Sequence, residues 1–212
     1  ETEYMGTREN NDGSITHIVK PTDIIINGYV SYDMIRPLIE ENQAYPQNNE
    51  GLPVTEEVLF RDSGSDYQNE IEQIKQRSIA DGTFMKAPNG KPTNLDEYQW
   101  LQVRTKAFKK WFGDWEKTPT ISSKIVDDNG EPLVVYHGTP NRDNFTRFDV
   151  KKIGSANDDG LWGSGFYFSN LKKHADQYRR GKKGATGGGN IYPSFLSIKN
   201  PFQISDFKTI KE

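Results

Sequence analysis

A chain of 212 residues, 33% of them apolar, 27% charged and 12% aromatic, holds enough material for one or two small globular cores. A formal charge of −3 gives no overall signature of nucleic-acid or anionic-membrane binding. The lack of cysteine excludes disulfide frameworks and thiolate metal sites and suits a cytoplasmic setting, and no run approaches the ~20 apolar residues of a membrane span.

In chain order, "SITHIVKPTDIIINGYV" reads as two short β-like runs and "SYDMIRPLIEEN" as a short helix interrupted by Pro37, together a small N-terminal segment over residues 1–42. Polar, aperiodic residues 43–57 read as a linker. A helical lead-in follows over 58–118. Its first helix carries Tyr67, Ile71, Ile74 and Ser78 on one stripe and closes at Asp81-Gly82. The run "NLDEYQWLQVRTKAFKKWFGDW" then places Trp100, Val103, Ala107, Trp111 and Trp115 at helical spacing, which predicts one long amphipathic helix. A basic helix of this kind can lie on a membrane or a partner. Three tryptophans on one side fit better a face packed on its own domain.

Residues 119–212 form the core segment. Two β-rich runs, 121–126 and 133–137, flank Asn129-Gly130, where glycine tolerates the positive φ of a tight turn, and predict a hairpin. "GSGFYFS" reads as a strand, "NLKKHADQYRR" as a helix and "IYPSFLSIKNPF" as a further strand. Short strands and helices without βαβ regularity give an α+β class.

Chemistry-bearing residues are few. His17, His137 and His174 are far apart and fit no metal spacing, so no metal is expected. "RRGKKGATGGGN" lacks the ending of a phosphate loop and reads as a basic glycine-rich loop. "LVVYHGTP" is different. A core strand ending in His137-Gly138-Thr139 brings an imidazole and backbone groups to the rim of a cleft. Alone it is no more than a capped strand end. Its companion is "GSGFYFSNLKKHADQY", with Tyr167 on a strand and Tyr178 eleven residues later on a helix.

Together these two stretches resemble the ADP-ribosyltransferases of the diphtheria-toxin and poly(ADP-ribose) polymerase type. "TKAFKKWFGDWE" leading into "SSKIVDDNGEPLVVYHGT" is similar to the ADP-ribosyltransferase domains of the large polyvalent proteins of phages and mobile elements, so that the likeness spans about residues 55–205. The resemblance implies a split antiparallel sheet around an NAD cleft, with helices before it. It also implies NAD as substrate, nicotinamide as product, and a protein or nucleic-acid acceptor that the sequence does not specify. Carried over, His137 and Tyr167 are the catalytic residues, expected on neighbouring strands and facing one cleft. His137 would hydrogen-bond a ribose hydroxyl, the Gly138 backbone would hold the carboxamide and Thr139 would brace the turn. Tyr167 and Tyr178 would sandwich the nicotinamide ring, Gly163 and Gly165 would let the chain pass close to the ligand, and Ser169 would join the NAD contacts. Where polymerase-type members place a carboxamide-binding serine, three residues before the second tyrosine, this chain has Ala175. The family's third catalytic group lies beyond the strand resembling "YPSFLSIKNPF", so the expectation is a piece of a longer protein that lacks its C-terminal strands and by itself binds NAD weakly and turns it over little or not at all. A non-catalytic NAD- or nucleotide-binding module is the alternative, and an interaction segment of a phage protein a third.

Overall fold

The computed structural model describes residues 6–9, 12–19, 24–26, 56–142, 145, 148–153, 165–180 and 189–203. The short helix expected after residue 30, most of the 43–57 linker, Gly163, the basic loop at 181–188 and the C-terminal residues 204–212 lie outside them.

The order of elements is β1 (Gly6–Glu9), β2 (Ile15–Val19), β3 (Ile24–Ile26), α1 (Glu56–Ala80), α2 (Glu97–Gln102), α3 (Lys106–Phe112), β4 (Val135–Thr139), β5 (Phe166–Ser169), α4 (Lys172–Arg179), β6 (Asn190–Leu196) and β7 (Phe202–Gln203), with a 3-10 turn at Val150–Lys152. This is an α+β arrangement. The strands form one sheet in the order β3-β6-β4-β5-β2-β1-β7. All pairs are antiparallel except β1 with β7. The N-terminal strands are therefore built into the same sheet as β4 to β6, on both sides of it. The partnership was not readable from local pattern, because a strand's sequence does not name its neighbour.

Strand alternation gives the sheet two different faces. On β6, Tyr192 and Leu196 point into a cluster with Val135, Phe148, Phe166 and Phe168, while Phe195 between them points into a cluster with Trp100, Phe108 and Phe112 of the helical lead-in. Phe108 meets Phe195 edge-on with centroids 5.2 Å apart. Each such side chain taken wholly out of water contributes about 2–3 kcal/mol, so the lead-in helices are fastened to the sheet by their own apolar face. The tryptophans belong to that packing: Trp100 and Trp115 are buried.

The single long helix is corrected to two short ones. Asp96 accepts from the Gln99 N–H at 2.8 Å while the Gln99 side chain accepts from the Asp96 N–H at 3.0 Å, a reciprocal cap that starts α2. Thr105 then accepts from the Phe108 N–H and starts α3. Between them the chain turns at Val103 and Arg104, which keeps Trp100, Val103 and Trp115 all buried despite the break.

The hairpin is likewise only half formed. Its turn is present: Gly130 has φ +80° and its N–H bonds the Asp127 carbonyl. The first arm is reduced to one bridge, Val126 with Pro132, and is not a strand. Ser123 explains this. Its hydroxyl donates to the Leu196 carbonyl at 2.8 Å and accepts from the Ile198 N–H at 3.0 Å, and the Lys124 N–H bonds the Ile198 carbonyl, so the arm is tied to the end of β6. β4 is left to pair with β5 and β6.

Candidate active site

The site residues come from three adjacent elements. β4 carries His137, Gly138 and Thr139, β5 carries Tyr167 and Ser169, and α4 carries Tyr178. β4 is paired with β6 along its whole length but with β5 at one position, Tyr136 with Ser169. Next to that pair, the His137 Nδ1 lies 2.9 Å from the Tyr167 carbonyl oxygen. A carbonyl can only accept, so Nδ1 carries the proton. Phe148 lies edge-on to the imidazole with centroids 5.0 Å apart, and Phe168 is tilted against it at 5.4 Å. Burial pushes the His137 pKa below the usual imidazole value, against the opposing effect of the Tyr167 carbonyl. The ring is thus neutral at pH 7 with a fixed tautomer, and its Nε2 presents a lone pair to a hydrogen-bond donor.

Alternation overturns one expectation. His137 shares its face with Phe166 and Phe168, so Tyr167, which stands between those two, points to the opposite face of the sheet. The two catalytic candidates do not turn their side chains into one cleft. What meets the imidazole is the backbone of Tyr167. The signal was in the sequence, since in "FYF" the apolar pair must take the core face.

The face that receives Tyr167 is the one on which α4 packs. A Cβ on Gly138 would lie 1.8 Å from the Ala175 carbonyl oxygen, so glycine is required for the helix to touch the strand. Ala175 is buried there, and Tyr178, one turn further on, is 60% exposed at the rim. Tyr167 and Tyr178 therefore stand on the same side of the sheet. The position where polymerase-type members place serine is filled by the helix contact itself.

The Thr139 hydroxyl accepts from the Asn141 N–H at 3.2 Å. Gly189 passes so close to it that a Cβ would lie 1.9 Å from the Thr139 carbonyl oxygen. Gly165 enters β5 half-buried. Ser169 is buried, and its hydroxyl accepts from the Leu171 N–H at 3.1 Å and lies 3.4 Å from the His174 Nδ1. It serves the entry to α4 and is not turned to a ligand.

Two residues that sequence reasoning left aside join the site from outside. His174 on α4 places its Nε2 2.9 Å from the Asp12 Oδ2, and Asp12 sits in the turn between β1 and β2. No sequence spacing links residues so far apart. Among the described residues no group of three or more His, Asp or Glu side chains could hold a metal ion, and no helix is long and apolar enough to cross a membrane.

A strand ending in His-Gly-Thr, an imidazole seated on a neighbouring strand's backbone, and a tyrosine-bearing helix packed on the glycine are the surroundings in which residues 127–212 match a family model, and its class is that of ADP-ribosyltransferase domains. More particularly, the family is described as ADP-Ribosyltransferase in polyvalent proteins. No curated protein and no solved structure matches the chain.

Proposed function

We propose that this domain transfers ADP-ribose from NAD to a protein or nucleic-acid acceptor with release of nicotinamide. The observation that carries the reading is the state of His137: neutral, with Nδ1–H bound to the Tyr167 carbonyl, inside the segment that matches the family. NAD supplies a glycosidic bond whose cleavage leaves an oxocarbenium-like ribose and neutral nicotinamide.

The residues present fit that ligand. Nε2 of His137 accepts a hydrogen bond from a ribose hydroxyl. As positive charge develops on the ribose that hydroxyl becomes a stronger donor, so the contact tightens toward the transition state and lowers the barrier. The Gly138 backbone holds the carboxamide and Gly165 lets the chain pass near it. Tyr178, with Tyr167 on the same side of the sheet, offers a ring face to the pyridinium cation, which gains ~0.5–2 kcal/mol there. That stack acts on the ground state, because the ring loses its charge as the bond breaks. β4 and β5 pair only at Tyr136 and Ser169; beyond that pair, in this reading, the ribose lies beside His137 and the nicotinamide ring on the α4 side.

The test is to incubate the chain with NAD labelled on its adenylate half and a cell lysate, and to measure acceptor labelling together with free nicotinamide. Both should appear at a low level, and His137→Ala should slow them by about a hundredfold, the usual cost of one transition-state hydrogen bond. Saturable NAD binding with no nicotinamide release would support the non-catalytic binding module instead. Turnover that ignores His137→Ala would contradict the assignment.

A further inference from the structure

The helix that carries Tyr178 has little to hold it in place by itself. α4 has eight residues, its N-cap is Leu171, and no side chain caps its first turn. A helix of two turns is marginal in water. What fixes it is contact with the sheet, at Ala175 against Gly138, and contact with the turn between β1 and β2.

That turn is built for the purpose. Asp12 Oδ1 accepts from both the Ser14 N–H, at 3.1 Å, and the Ser14 hydroxyl, at 2.7 Å. Its other oxygen, Oδ2, is left for the His174 Nε2 at 2.9 Å, with Lys173 Nζ at 3.9 Å. The Ser14 bonds, with a smaller contribution from His174, hold the Asp12 carboxyl well below the usual range, at about 2, so it is ionised and purely an acceptor. His174 must therefore carry its proton on Nε2. Its Nδ1 lies 3.4 Å from the Ser169 hydroxyl, which in turn accepts from the Leu171 N–H at the start of the helix. A second tie runs alongside, because Ile15 N–H donates to the Asn170 side chain at 2.9 Å and Asn170 N–H to the Ile15 carbonyl at 3.3 Å.

We propose that Asp12 is a positioning residue for the site: through His174 it holds α4, and with it the Tyr178 ring, so that the working unit includes the β1–β2 turn, which lies far outside the matched residues 127–212. The consequence for NAD rests on the function proposed above. The consequence for the helix does not.

The experiment compares the full chain with Asp12→Asn, His174→Ala and the double variant. Asn at 12 can still take the Ser14 N–H but loses the anionic acceptor. Hydrogen exchange of the α4 amides should quicken about fivefold in each single variant, with β4 and β6 unchanged, and the double variant should be no faster than the faster single. Affinity for NAD should fall by a similar factor, while affinity for ADP-ribose, which lacks the nicotinamide ring, should hold. Unchanged α4 exchange in Asp12→Asn, or additive effects in the double variant, would overturn the proposal. Faster α4 exchange in a chain that binds no NAD would uphold the positioning role and reject the NAD reading. Equal losses for NAD and ADP-ribose would show a general loosening of the sheet and count against positioning of Tyr178.

Discussion

Two half-buried cationic or potentially cationic side chains sit on opposite sides of this sheet, and they are treated in opposite ways. Arg104, in the helical lead-in, is saturated. Its guanidinium lies 3.7 Å from the Trp100 ring centroid, bonds Glu131 at 2.9 Å, meets Glu116 at 3.3 Å and donates to the carbonyls of Trp100 and Lys86. Glu131 is wholly buried and also accepts from the Thr93 hydroxyl. His137 is given one carbonyl and a set of aromatic rings, and among the described residues no ion pair. The first arrangement keeps a charge in place and uses up its valences. The second removes charge and leaves one nitrogen with a lone pair. Satisfaction marks the clamp that joins the lead-in to the turn before β4, and a lone pair left over marks the candidate site.

The sharpest way to break this contrast is at the clamp. Glu131→Ala leaves Arg104 buried with only its weaker carboxylate partner and should cost about 4 kcal/mol of stability in a denaturant titration. A loss below about 1 kcal/mol would mean that the pair is not the fastening it looks like.

The sheet side should reveal itself by acid. Burial holds His17 down to about 4, and it pushes His137 in the same direction. The unfolded chain takes up a proton near pH 6.5 and the folded chain does not until about 4, so stability is full above 6.5 and falls as pH drops through that window. His17 alone accounts for about 3 kcal/mol of this loss. His17→Gln should flatten most of the slope measured by thermal or denaturant unfolding between pH 6.5 and 4, and an unchanged slope would assign the acid lability elsewhere.

Gly138→Ala tests the junction of strand and helix. The added Cβ meets the Ala175 carbonyl and must push α4 away, at about 2 kcal/mol in stability, with NAD binding lost more completely than stability. Tyr178→Ala should have the smallest effect. With the ring at the rim, NAD affinity should weaken by ~0.5–1 kcal/mol and stability should hardly change. A larger fall in stability would make Tyr178 a packing residue.

These residues also show what the sequence made legible. The aromatic β run at 166–169, the helix that follows it and the glycine turn at 129–130 were plain, because each rests on local chemistry. The division of the long helix at residues 103–105 was written in Asp96, Gln99 and Thr105 as caps, but the tryptophan stripe runs through the break and hid it. The missing first arm of the hairpin depended on Ser123 finding the end of β6, a partner 73 residues away. At the candidate site, His137 and Gly138 could be singled out in advance, but the close approach of Ala175 that requires glycine at 138 could not. The orientation of Tyr167 followed from alternation, and a reading that placed both side chains in one cleft overlooked it. The hold of Asp12 on His174 depends on a turn and a helix brought together by the β2–β5 pairing, which no spacing announces.

The role proposed for His137 is to keep its Nε2 for a ribose hydroxyl of NAD. Calorimetric titration of the full chain with NAD at pH 7, beside His137→Ala and Arg104→Lys, tests it most directly. The account predicts saturable binding by the wild type, its loss by about tenfold or more in His137→Ala, and its retention in Arg104→Lys wherever that variant remains folded. Equal NAD affinity for the wild type and His137→Ala, or no binding by either, would contradict it.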